Sequence, residues 1–335
     1  MKKHYLLITL ATMLCGMVYS QAGILKKLPG SKKGGGGGLT SIMEGNPAIS
    51  TNFKDVNMEG TMPPEFGDGA PYVKLRTVPR DSLGNFLLKP GFYETFNFSY
   101  CLKAGTPSPN LSDGYGLAPL KGKQEDIVHA ILVKSQQMWA NKGTTTKEKS
   151  LLANAATAAT KIAQKDVQLL LWAIIAKTDF EKLAGRSKAV ALALLTPGEI
   201  LKLNGGALKA GGNFLMDKGI INKPEPLRLI EEAQEKLRSL YYRADATFED
   251  FERVALLAGM SNMPQIAPNR TWFKHPTEDY YVRYEPQGYS RTKIQVYVPP
   301  TTTQVNFKAT GYVATPDDSR QRLAQTDWFV DNVIN

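Results

Sequence analysis

A chain of 335 residues, 42% hydrophobic and 21% charged, has enough apolar side chains for a packed core, so intrinsic disorder is excluded as its overall state. Its formal charge of +10 is diffuse, with no arginine-rich helix and no basic stretch interleaved with aromatics, which argues against nucleic acid as a partner. His129 and His275 each lack a second His or Cys nearby, so neither a metal site nor a cofactor is expected.

The chain opens with Lys2, Lys3 and His4, followed by an apolar run from Tyr5 to Val18 and by small residues at Ser20 and Ala22. That is the pattern of a secretory signal peptide over residues 1–20. The run is too short for a membrane span, and no stop-transfer charges follow it. Cys15 is preceded by Leu14, where a lipoprotein signal wants a small residue. The expectation is an extracytoplasmic protein, secreted or held at the cell surface, with no transmembrane segment.

Residues 21–60 read as a linker rich in Gly and Lys, with Gly34 to Gly38 in a row. Prolines at 63, 64, 71 and 79 then indicate extended chain. Strands are expected at "PYVKLRTV", "NFLL" and "GFYETFNFSYCL", the last with aromatic alternation. The stretch from Gly105 to Gly114 breaks this strand. The middle of the chain reads as helices. "QEDIVHAILVKSQQMWANK" has apolar residues near helical spacing, and "EKSLLANAATAATKIAQ" is alanine-rich. "QKDVQLLLWAIIAKTDFEKL" is apolar almost all round, the mark of a buried helix. Thr196, Pro197 and Glu199 have the spacing of a capping box. "EPLRLIEEAQEKLRSLYYR" and "TFEDFERVALLAG" complete the helical block, and Glu249, Asp250 and Glu252 in the latter read as solvated acids. Strands return at "TWFKH", "DYYVRYEP", "TKIQVYVPP" and "TQVNFKATG". The fold class expected is α+β, a β-sheet system with a helical block inserted between early and late strands. Two regions are drawn after the linker: 61–262 as an α+β region, and 263–335 as a C-terminal β region packed on the same sheet system.

Catalytic signatures are scarce. There is no GxSxG elbow. "GGALKAGG" is glycine-rich but follows no clear strand. Cys101, alone once the signal is removed, could pair with His129 or His275 only if the fold brought them together. Exported proteins usually pair their cysteines, so a leftover one points to an intermolecular bond or a reactive thiol.

Gln168 supplies a partner for Cys101. It lies on the apolar helix, with Trp172 four residues later on the same face. A buried glutamine is costly unless its amide is satisfied. One solution removes the amide: the Cys101 thiolate attacks the Gln168 carboxamide and expels ammonia, leaving a thioester. Such an acyl group survives only where water is kept out, by walls such as Tyr100, Leu102, Leu170, Leu171 and Trp172.

"YC" plus an apolar residue on a strand, then a helix ("DIVHAIL"), then "hydrophobic-Gln-x-x-hydrophobic-Trp" on a second helix, resembles the thioester domain of bacterial surface adhesins. The pattern falls on Tyr100-Cys101-Leu102 and on Val167 to Trp172, within residues 90–180. The resemblance implies an internal thioester between Cys101 and Gln168, with Tyr100 and Trp172 shielding it. It implies covalent adhesion to amines or hydroxyls on a host or neighbouring-cell protein or glycan, one event per molecule rather than enzymatic turnover. The bland alternative is a structural or assembly protein of the bacterial cell envelope, in which Cys101 is an inert buried thiol.

Overall fold

The computed structural model describes residues 47–140, 162–204, 225–257, 266–317 and 320–329. The expected signal peptide, the Gly34–Gly38 run, most of the alanine-rich stretch and "GGALKAGG" lie outside the described residues. In chain order the early strands are β1 (Tyr72–Lys74), β2 (Phe86–Leu88), β3 (Gly91–Cys101), β4 (Thr106–Pro107) and β5 (Tyr115–Pro119). The helices are α1 (Glu125–Ala140), α2 (Gln164–Ile175), α3 (Gly185–Leu194), α4 (Pro197–Leu203), α5 (Glu225–Tyr241) and α6 (Phe248–Ala255). The late strands are β6 (Leu256–Leu257), β7 (Phe273–Lys274), β8 (Tyr281–Pro286), β9 (Arg291–Val298), β10 (Val305–Phe307), β11 (Tyr312–Pro316) and β12 (Leu323–Phe329).

The class is α+β, as expected, with the helices between early and late strands. The main sheet runs β5-β11-β12-β3-β9-β8-β7, and β1 adds to β3 in parallel. β3 pairs with β9 from Gly91 opposite Val298 to Phe98 opposite Arg291, so an early strand and a late strand share one ladder. On its other side β3 pairs with β12, Leu323 facing Cys101 and Ala324 facing Tyr100. The small pairs β2–β10 and β4–β6 stand apart from this sheet.

β3 is central because both its faces are covered from Phe98 to Cys101. Its buried polar residues are satisfied internally. Asn97 donates to the Thr326 carbonyl at 2.6 Å and accepts from the Thr95 hydroxyl at 2.7 Å. α2 is buried at every position from Val167 to Ile175, which explains its unbroken apolar sequence. Its neighbours hold it through backbone carbonyls: Tyr241 of α5 donates its hydroxyl to the Leu169 carbonyl at 2.5 Å. α4 begins with the capping box expected at Thr196 and Glu199.

Three differences from the sequence reading have clear causes. "PYVKLRTV" is a strand only over Tyr72–Lys74, because the chain then turns in a 3-10 helix at Leu75–Thr77. β4, β5, β6, β11 and β12 are not expected from the sequence, and the helix read in "TFEDFERVALLAG" stops at Ala255 because Leu256 and Leu257 pair in parallel with Thr106 and Pro107. β12 is an interior strand whose Gln325, Thr326 and Asp327 are buried, so hydropathy hides it. Residues 47–60, read as the end of the linker, include buried Ala48, Thr51 and Val56, and the Thr51 hydroxyl donates to the Pro119 carbonyl at 2.9 Å.

His275 carries a pH-dependent part of the fold's stability. It stacks on Tyr280, its Nε2 meets the Tyr312 hydroxyl, and its Nδ1 accepts from the Glu278 N–H at 2.9 Å. Burial lowers its pKa from 6.5 to about 4. Between those values the unfolded chain binds a proton that the folded chain refuses. Thermal midpoints should therefore fall as pH drops from above 6.5 to about 4, with no further loss from this group below that. His275→Gln should flatten that slope; an unchanged slope would count against the assignment.

Candidate functional site

β9 stops pairing with β3 at Phe98, yet β3 continues to Cys101. Backbone groups on that edge then need other partners. The Ser99 N–H donates to the Ser290 carbonyl at 3.0 Å, and the Ser99 carbonyl accepts from Gln164 Nε2 at 3.2 Å. The Cys101 N–H donates to Gln168 Oε1 at 2.8 Å, and Gln168 Nε2 donates to the Cys101 carbonyl at 3.1 Å. Two glutamines one helical turn apart thus stand in for the missing strand. The spacing matches: four helical residues rise about 6 Å, and two strand residues span about 6.8 Å. Gln164 opens α2, so Gln168 sits one turn in from the start.

The site is closed to water. Cys101 is 0% exposed and Gln168 2% exposed. Trp172 is fully buried one turn along α2 and stacks on Phe248 of α6 at 5.9 Å between ring centroids. Its indole N–H has no hydrogen-bond partner among the described residues. Tyr100 is fully buried too, and its hydroxyl lacks a partner there. Strand alternation turns the Tyr100 ring to the opposite face from the Cys101 side chain. Tyr100 is thus next to Cys101 in the chain, while Trp172 shares the helix of Gln168.

Burial pushes the Cys101 thiol well above its ordinary range, and the Glu252 carboxylate pushes it further the same way. Glu252 is not the solvated acid read from the sequence. It is half-buried on α6 and accepts a hydrogen bond from the Tyr289 hydroxyl at the tip of the β8–β9 hairpin. Its helix neighbours behave as ordinary surface acids: Asp250 accepts from the Thr247 N–H and hydroxyl at 3.0 Å, and Glu249 lies 3.5 Å from Lys165. Gln164, Glu252 and Tyr289 escaped the sequence reading. The i, i+4 repeat of glutamine on an otherwise apolar helix was the signal for the first. No local pattern marks the other two.

Neither histidine serves Cys101 as a base. Both ring nitrogens of His275 are engaged elsewhere, and the groups acting on His129 are Lys308, Asp327 and Asp126. Among the described residues no three His, Cys, Asp or Glu side chains gather in a way that could hold a metal ion. No described helix is long and apolar enough to cross a membrane. No family model matches the chain, and no curated protein or solved structure is significantly similar to it.

Proposed function

We propose that Cys101 and Gln168 form an internal thioester. On this reading the protein is an exported surface adhesin that bonds covalently to amine or hydroxyl groups of a host or neighbouring-cell protein or glycan. The observation that carries the reading is the double hydrogen bond between the Gln168 carboxamide and the Cys101 backbone in a closed site. It holds the Gln168 carboxamide against the backbone of the residue that carries the thiol. The Cys101 N–H on Oε1 polarises the carbonyl as an oxyanion-hole donor does. In the forming step the Sγ–Cδ bond is made, the Cδ–Nε2 bond breaks and ammonia leaves. In adhesion a nucleophile takes the Gln168 acyl group, the Sγ–Cδ bond breaks, and Cys101 recovers its proton. The event occurs once per molecule, so the protein is not a turnover enzyme.

The competing reading is a structural protein of the cell envelope. It is favoured by the fact that the Gln168 amide already has a partner for each polar atom, as an ordinary buried glutamine would. Intact mass separates the two. A thioester makes the folded chain one ammonia lighter than its sequence, and it leaves no thiol to titrate after denaturation under conditions that preserve the bond. A chain at full mass with one titratable thiol would overturn the thioester reading.

A further inference from the structure

The thioester reading leaves a proton unaccounted for. A thiol this deeply buried is a poor nucleophile until something removes its proton, and an attacking amine must also shed one. The surroundings of α6 supply a candidate. Both ends of this helix are fixed near the exit of β3. At the start, Phe248 stacks on Trp172; at the end, the Ala255 carbonyl accepts from the Gly105 N–H at 2.8 Å. Gly105 has a φ of +81°, and a Cβ there would lie 2.8 Å from Ile230 Cα, so this turn packs directly against α5. Glu252 lies between the two fixed ends. Tyr289, which holds the Glu252 carboxylate, is tied to β3 by its own carbonyl, which accepts from the Ser99 hydroxyl at 3.1 Å. The Glu252–Tyr289 bridge therefore joins α6 to the hairpin tip beside Ser99, two residues before Cys101 on β3. The second carboxylate oxygen of Glu252 has no protein partner among the described residues.

We propose that Glu252, held by Tyr289, is the proton acceptor of the Cys101–Gln168 site, a role that rests on the thioester reading above. In the forming step the Cys101 thiol proton passes to Glu252 and leaves with ammonia. In the opening step the amine attacks Cδ, the nitrogen gives its proton to Glu252, and the proton then passes to the departing Cys101 sulfur. Glu252 ends each step as it began. The field of Glu252 acting on both Cys101 and Tyr289 supports this placement.

Glu252→Gln tests it. The amide can still accept from the Tyr289 hydroxyl, so the bridge keeps its shape, but it cannot take a proton at working pH. Intact mass gives the fraction of each variant carrying the thioester, and loss of that fraction in methylamine gives the opening rate. Proton transfer by a positioned group contributes about 100-fold or more. The expected result is a light but roughly 100-fold slower Glu252→Gln chain, with Glu252→Asp recovering part of the rate. A folded Glu252→Gln chain that stays at full mass while wild type is light also supports the role, placed in the forming step. A light Glu252→Gln chain opening at the wild-type rate overturns the Glu252 role and leaves the thioester standing. Should Glu252→Gln fail to fold, Glu252→Asp and Glu252→Ala opening at equal rates overturn it. A wild type at full mass overturns both readings.

Discussion

Cys101→Ala and Gln168→Ala should each abolish methylamine uptake, and each should destabilise the protein by several kcal/mol, Gln168→Ala somewhat more. The second expectation distinguishes a thioester from a hydrogen bond. A thioester closes a loop of 67 residues, and a crosslink of that span stabilises by about 4 kcal/mol in the chain-entropy account. Either substitution removes it. Gln168→Ala also leaves the Cys101 N–H buried without its acceptor, at a further cost of about 1–3 kcal/mol. Without a thioester the balance is different. Cys101→Ala then removes only a small buried side chain, while Gln168→Ala strips both backbone groups of Cys101 and costs several times more. Thermal scans fast enough to outrun hydrolysis of the unfolded chain would read the difference. A mild Cys101→Ala beside a severe Gln168→Ala, with no methylamine uptake by wild type, would leave Gln168 as an edge-strand substitute and nothing more.

That substitution of helix for strand shows what the sequence could and could not convey. The alternation of Phe92 to Leu102 and the apolar run of Val167 to Ile175 report burial directly, because the two repeats differ in period and both are strong. They made β3 and α2 legible, whereas the pairing of Cys101 with Gln168 is what the resemblance to the adhesin thioester domain implies and no periodicity reports it. Where β9 ends was not legible, since pairing length depends on the hairpin tip at Tyr289 and Ser290 rather than on any residue of β3. Gln164 repairs the same edge as Gln168, and its role stays hidden with the end of β9. β12 was missed for a related reason. Its Asp327 looks like surface charge, yet it accepts from the Ala309 N–H at 2.5 Å and the Thr310 hydroxyl at 2.9 Å inside the fold. Glu252 was read as solvated on the same logic. A periodic pattern states which face of a helix is polar, not whether a distant tyrosine covers it.

Trp172→Ala should separate forming the bond from protecting it. Trp172 is fully buried, and its ring lies between α2 and Phe248 of α6. It touches no polar partner among the described residues, so truncation leaves no orphaned hydrogen bond on the protein. The loss is one of packing, about 3–5 kcal/mol for a buried Trp reduced to Ala. Trp172→Phe keeps a ring against Phe248 and should cost less. Neither change removes Cys101, Gln168 or the N–H that polarises the carbonyl. Fresh Trp172→Ala protein should therefore still be one ammonia light. The cavity opens beside Gln168, one helical turn away, and lets water approach the acyl carbon. The mass should then rise by one water while wild type remains light, and a titratable thiol should appear in step with it. Folding must be checked first by circular dichroism below the lowered midpoint. If folded Trp172→Ala keeps its light mass as long as wild type does, Trp172 is a core residue whose shielding role is refuted. If it never becomes light while folded, the indole positions the reacting groups, and the division of roles between Gln168 and Trp172 is wrong.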